Sequence, residues 1–108
     1  MGQAVDGGDR KMQKVDEIKR KLAQCKPELK RGFQVKAIGI FGSYIRNEQN
    51  KNSDLDVLVE YEEDPSLFKF VELENYLKTI LKVNVDLVMK NALKPQIGKH
   101  VLNEVVYS

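Results

Sequence analysis

The sequence has little of what usually reveals a protein's class, and each shortage excludes something. There is a single cysteine, Cys25, so no internal disulfide framework can form, and a lone thiol fits a reducing compartment. No apolar run approaches the ~20 residues of a membrane span, and the first residues lack the charged-then-apolar order of a secretory signal. Met1-Gly2 is followed by Asp6 where a myristoylation signal wants Ser or Thr. Neither sign of charge dominates: 18 basic residues face 16 acidic ones, a net charge of +2 that calls for neither a nucleic acid nor a membrane as partner. No Gly-rich phosphate loop with its lysine occurs, nor any serine or cysteine nucleophile motif. The only histidine, His100, has nothing near it in sequence to orient it as a general base. With 42% hydrophobic residues in 108, the expectation is a soluble, cytoplasmic protein with one compact core.

Residues 1–10 carry three glycines within nine residues and no apolar periodicity, and read as a disordered tail before one domain over residues 11–108. Met12, Val15, Ile18, Leu22 and Cys25 recur at three- and four-residue spacing and predict a helix. Its lysines read as a solvated face, because Asp16 and Glu17 interrupt them and no aromatic residue interleaves for base stacking. Pro27 and Gly32 are expected to break this helix or start a second. Phe33 to Phe41 is apolar on both faces and predicts a central strand.

A short helix over Tyr44 to Asn47 and a polar surface turn over Glu48 to Ser53 follow, with Lys51 exposed and Tyr44 packed or at a rim. Asp54 to Val59 predicts a second strand. Glu60, Glu62, Glu63 and Asp64 read as a solvated strand end. From Ser66, which can cap, Leu67, Phe70, Val71, Leu73, Leu77, Ile80 and Leu81 predict a core-facing helix. Val83 to Met89 is a third strand, parallel to the second through a right-handed crossover. Ile97, Val101, Leu102, Val105 and Val106 predict a last helix after Pro95, packed on the sheet or on a partner. The fold class is α/β (α+β), a small mixed sheet with flanking helices.

The chemistry is concentrated at strand ends. Ile38 to Phe41 ends in Gly42-Ser43, and ten residues later Asp54-Leu55-Asp56 opens the next strand. Side chains alternate across a strand, so Asp54 and Asp56 share one face while Leu55 and Val57 enter the core. Two carboxylates on one face repel unless a cation lies between them, and Mg²⁺ takes such oxygen ligands together with water and substrate phosphates. Gly42 lets a phosphate approach the backbone, and Ser43 can turn its N–H and hydroxyl toward an anion. Asp86, between two apolar residues of the third strand, supplies a third acid if that strand lies beside the second. As a buried acid it is expected to need a cationic partner.

Gly42, Ser43, Asp54, Asp56 and Asp86 together resemble the signature of the nucleotidyltransferase superfamily of DNA polymerase β. Phe41-Gly42-Ser43-Tyr44-Ile45-Arg46, the Ser53 before the first acid and the closing Leu93-Lys94-Pro95 are similar to the minimal nucleotidyltransferases (MNT). One departure is Asn47, where the family often has glycine; Asn tolerates left-handed backbone better than most residues. The resemblance implies two-metal phosphoryl transfer, with Asp54, Asp56 and Asp86 as catalytic metal ligands for two Mg²⁺ ions. Gly42, Ser43 and Arg46 would bind the nucleotide, with the Arg46 guanidinium suited to phosphate or to a partner carboxylate. It further implies ATP as donor and, since the chain has no room for an acceptor domain, an acceptor on another protein. That partner is expected to be a cognate HEPN-domain RNase toxin, adenylylated on a tyrosine by this antitoxin within a hetero-oligomer. Two alternatives stay open: a non-catalytic antitoxin that occludes its toxin, and transfer to a small molecule or RNA with a separate substrate-binding subunit.

Overall fold

The structure is a computed structural model that describes residues 10–46 and 54–107. Residues 1–9 of the expected tail over residues 1–10, the turn at Asn47, the polar connection Glu48 to Ser53 and Lys51 lie outside the described residues, while Arg10 opens the first helix instead of ending a tail.

The elements run α1 (Arg10–Phe33), β1 (Val35–Phe41), α2 (Ser43–Arg46), β2 (Leu55–Tyr61), α3 (Leu67–Leu81), β3 (Val85–Met89), a 3-10 turn (Lys90–Ala92), α4 (Pro95–Glu104) and β4 (Val106–Tyr107). The sheet order is β3-β2-β1-β4. β1 pairs antiparallel with β2 and with β4, and β2 pairs parallel with β3, so the sheet is mixed as expected. No described helix is long and apolar enough to cross a membrane.

The core lies on one face of the sheet. Ile38 and Ile40 of β1, Leu55, Val57 and Val59 of β2, and Val85 and Leu87 of β3 meet Ile18, Leu22 and Leu29 of α1 and Leu73, Leu77 and Leu81 of α3. Tyr44, also buried, joins this cluster and is packing rather than rim. Burying each of these large side chains contributes about 1.5–3 kcal/mol, which is what holds the two helices to the strands. Alternation sends Asp56 and Leu58 to the opposite face, where α4 lies.

Several sequence expectations are corrected. α1 does not break at Pro27 or Gly32 but runs through both to Phe33. Proline costs the helix a hydrogen bond, yet Leu29 beyond it is fully buried, and that anchor carries the helix across. Phe33 therefore closes a helix instead of opening a strand; Gln34, in left-handed backbone (φ 57°), turns the chain into β1. The α3 stripe is narrower than its pattern: Leu67 is 78% exposed and Val71 is also exposed, so neither is core. The Ser66 cap is as expected, its hydroxyl accepting from the Lys69 N–H at 3.2 Å. The last helix ends at Glu104, and Val106 and Tyr107 become β4 on β1 instead.

That last pairing depends on Gly39. A Cβ there would lie 2.7 Å from Val105 Cγ2 and 3.0 Å from the Val106 carbonyl oxygen, so only glycine lets β4 close. Of the acid cluster, Glu62 to Asp64 are solvent-exposed beyond the strand, while Glu60 is half-buried and pairs with Lys36 (3.8 Å) and Lys90 (3.5 Å).

Pro27 is exposed, so replacing it removes no packing. Pro27→Ala should raise stability in chemical denaturation by about 1–3 kcal/mol, because proline is the poorest residue in a helix interior. An unchanged or lower midpoint would mean that α1 requires proline's geometry there.

Candidate active site

The register of two strand pairs assembles the site. Phe41 is opposite Asp56 across β1 and β2, and Asp56 is opposite Asp86 across β2 and β3. The strand that ends in Gly42-Ser43 therefore delivers that turn to the same end of the sheet as the two carboxylates. Asp54 precedes β2 and is exposed, but its charge bears on both Asp56 and Tyr44.

The Gly42 turn is tight because its φ is +82° and because a Cβ at this position would collide with the Asp56 carboxylate. Glycine is thus required twice over. The short α2 begins directly after it, with the Ile45 and Arg46 N–H groups both donating to the Gly42 carbonyl, at 3.0 and 3.1 Å.

The electrostatics centre on Asp56, which is half-buried. Burial first, then the negative charges of Asp86, Asp54 and Glu104, push its carboxyl up to about 6, against the pull of Arg46. Asp86 itself is exposed, which corrects the expectation of a buried acid. β3 is the edge of the sheet, so Val85 and Leu87 are buried on the helix face while Asp86 faces solvent on the other, and it is Asp56 that lacks compensation. Burial raises Tyr44 above its ordinary value, helped by the charge of Asp54.

One residue of the site had not been anticipated. Glu104, at the end of α4, accepts from the Gly42 N–H through Oε2 at 2.7 Å and from the Arg46 guanidinium through Oε1 at 2.7 Å. Burial works against its charge, but the bonds from Arg46 and Gly42, with the positive charges of Arg46 and His100, outweigh it and hold the carboxyl below its usual range. Arg46 does hold a carboxylate, though one of its own chain. A signal existed in the sequence: an acid in the last turn of a helix opposes the helix dipole and needs a partner elsewhere.

Gly42, Arg46, Asp56, Ile97, His100 and Glu104 line a cleft of about 370 Å³. His100 is thus brought to the site, exposed at its rim. Among the described residues no three carboxylates, imidazoles or thiols converge into a ready-made metal cage. The donor set nevertheless fits a hard divalent cation. The charges of Asp54 and Asp86 both bear on Asp56 at one end of the sheet, and the crowded charge of Asp56 is what such a cation would stabilise, with water and substrate phosphates completing its ligands.

The family profile described as the nucleotidyltransferase domain matches residues 22–108. The chain belongs to the nucleotidyltransferase domain family. A relative within it, the protein adenylyltransferase MntA of Thermococcus cleftensis, is 54% identical over 93 residues, covering 86% of this chain and 94% of that one. Among solved structures, one provisionally named a minimal nucleotidyltransferase superposes with a TM-score of 0.70 at 28% identity, over 97% of this chain and 98% of the other. A chain of a toxin–antitoxin structure with AMP-PNP superposes with a TM-score of 0.67 at 25% identity, over 82% of this chain and 70% of its own. The protein is therefore a nucleotidyltransferase with the mixed four-stranded α+β fold of the minimal members.

Asp56 ionises less readily in the folded chain, near pH 6, than its ordinary value of 3.8. A carboxyl raised by folding leaves stability intact below its unfolded value and removes it as pH rises through the folded one. Asp56→Asn should therefore stabilise the metal-free protein by about 1–2 kcal/mol at pH 7.5, after discounting for its partial exposure, and by nothing measurable below pH ~4. Thermal melts of the two proteins across pH would check this; a gain that persists at low pH would mean that charge is not its source. Glu104→Ala, which strips the carboxylate from Gly42 and Arg46, should cost about 1–3 kcal/mol in the same melts.

Proposed function

We propose that this nucleotidyltransferase transfers AMP from ATP to a tyrosine hydroxyl of a partner toxin, acting as a protein adenylyltransferase antitoxin whose partner is a HEPN-domain RNase. The observation that carries the reading is the register that sets Asp56 opposite Asp86 beside a turn that only Gly42 can make. The naming of the Thermococcus cleftensis relative as a protein adenylyltransferase supports the class of acceptor, and the toxin–antitoxin structure with AMP-PNP supports the nucleotide and the setting.

Gly42 and Ser43 would let the triphosphate lie close to the backbone, and Arg46, held by Glu104, would add its positive charge beside a phosphate. Asp54, Asp56 and Asp86 would hold two Mg²⁺ ions, which when bound offset the charge that builds on the phosphoryl oxygens during in-line displacement. Asp86, exposed at the sheet edge, would receive the proton of the incoming tyrosine hydroxyl. The new bond joins that oxygen to the α-phosphorus, the bond to the β-phosphate oxygen breaks, and pyrophosphate leaves. A phosphodiester on the toxin adds negative charge, which would repel an RNA backbone.

Purified protein incubated with Mg²⁺, ATP and the partner toxin should add one or more adenylyl units to the toxin, read by intact mass. Asp56→Asn and Asp86→Asn should each fall below ~1% of the wild-type rate. Tight complex formation with no mass change, surviving both substitutions, would replace transfer with occlusion.

A further inference from the structure

The outer edge of β3 has no role in the site as described. β3 ends the sheet, and among the described residues no strand pairs with its far side. One bond fixes the phase of its backbone: the Leu55 N–H donates to the Asn84 carbonyl at 2.8 Å. The N–H and C=O of one residue point to the same side of a strand, and successive residues alternate. Asn84, Asp86 and Val88 therefore turn their backbone toward β2, while Val85, Leu87 and Met89 turn theirs outward. Val85–Met89 contains no proline or lysine and its register with β2 is unbroken, so neither of those residues nor a bulge guards this edge against strand addition. Its one charge, Asp86, belongs to the site.

An apolar groove of about 490 Å³ follows this edge, with Leu67, Phe70, Leu87 and Met89 among its walls. Next to it on α3, Phe68 is 71% exposed despite its size.

We infer that this edge docks the acceptor, as an extended polypeptide segment that adds antiparallel to β3 and presents its hydroxyl residue opposite Asp86. The inference rests on the protein-acceptor reading above. A repeating row of outward N–H and C=O groups is matched by a polypeptide backbone, and the row runs directly into the exposed acid of the site. Because the Asp86 backbone faces β2, the residue opposite it forms a non-hydrogen-bonded pair, the closer of the two kinds, with its side chain on the Asp86 face. The residues on either side of that hydroxyl point to the other face, over Leu87 and the groove. The dock thus selects apolar side chains immediately before and after the modified residue, the alternation that strand addition imposes on recognition.

The test uses the full chain with Mg²⁺, ATP and short synthetic peptides containing one tyrosine. One set carries apolar residues adjoining the tyrosine; the other carries the same residues one place further out. The first set should have a KM about tenfold lower. Met89→Pro removes an outward N–H and spares the ladder to β2, and Leu67→Glu charges a groove wall whose side chain is exposed. Each should raise the KM of the first set about tenfold, with kcat within about twofold and Mg²⁺–AMP-PNP affinity unchanged. Equal use of both peptide sets, or wild-type kinetics in both variants, would overturn the dock. So would modification of whole toxin but of no peptide, which would leave the adenylyltransferase reading standing. Absence of transfer to either peptide or toxin would sink that reading and the dock with it. A wild-type dimer in light scattering that Met89→Pro dissociates would assign the edge to a second copy instead.

Discussion

Everything in this molecule is arranged around one unfavourable interaction, the crowding of like charge on Asp56. Its carboxylate is half-buried, faces Asp86 across a parallel strand pair, lies near Asp54, and has Gly42 pressed against it. Such a cluster persists only because it is bolted to a core on the far face of the sheet, where Leu22, Ile40, Leu55, Val57, Leu73 and Leu77 are fully buried. The apolar face holds the strands in register, and the register holds the acids together against their repulsion. Repulsion of this kind would be relieved by a divalent cation, so the core that holds the acids in register also sustains the charge that such an ion would offset.

Arg46 and Glu104 temper this field without cancelling it. The guanidinium lowers the cost of ionising Asp56, while the carboxylate that clamps it raises that cost slightly. The pair therefore acts less as a neutraliser than as a brace, tying α2 and the Gly42 turn to α4. The turn and α2 stand in a fixed orientation at the cleft, so a ligand taken up there would meet groups already in place, which reduces the ordering cost of binding.

Much of this was legible in the sequence, for physical reasons that can be named. Alternation placed Asp54 and Asp56 on one face and predicted the partition of β2 into a core side and a site side; the lone acid in an apolar run placed Asp86 on a neighbouring strand. What could not be read was position within the sheet. Asp86 looks buried when flanked by Val85 and Leu87, yet an edge strand exposes one face, and strand order is a property of the whole fold. Leu67 and Val71 fit the helical period but lie beyond the strip that α3 lays on the sheet. Pro27 misled because local propensity was outweighed by the burial of Leu29. Glu104 is 62 residues from Gly42 in sequence, and no local pattern links the two.

The closure of β4 over Gly39 ties the site to a residue outside it. β4 follows directly on the end of α4, so the pairing that Gly39 permits also holds Glu104 where it braces the Gly42 turn. A side chain at position 39 would push against Val105 and the Val106 carbonyl and so loosen that turn from a distance, without touching any residue that lines the cleft.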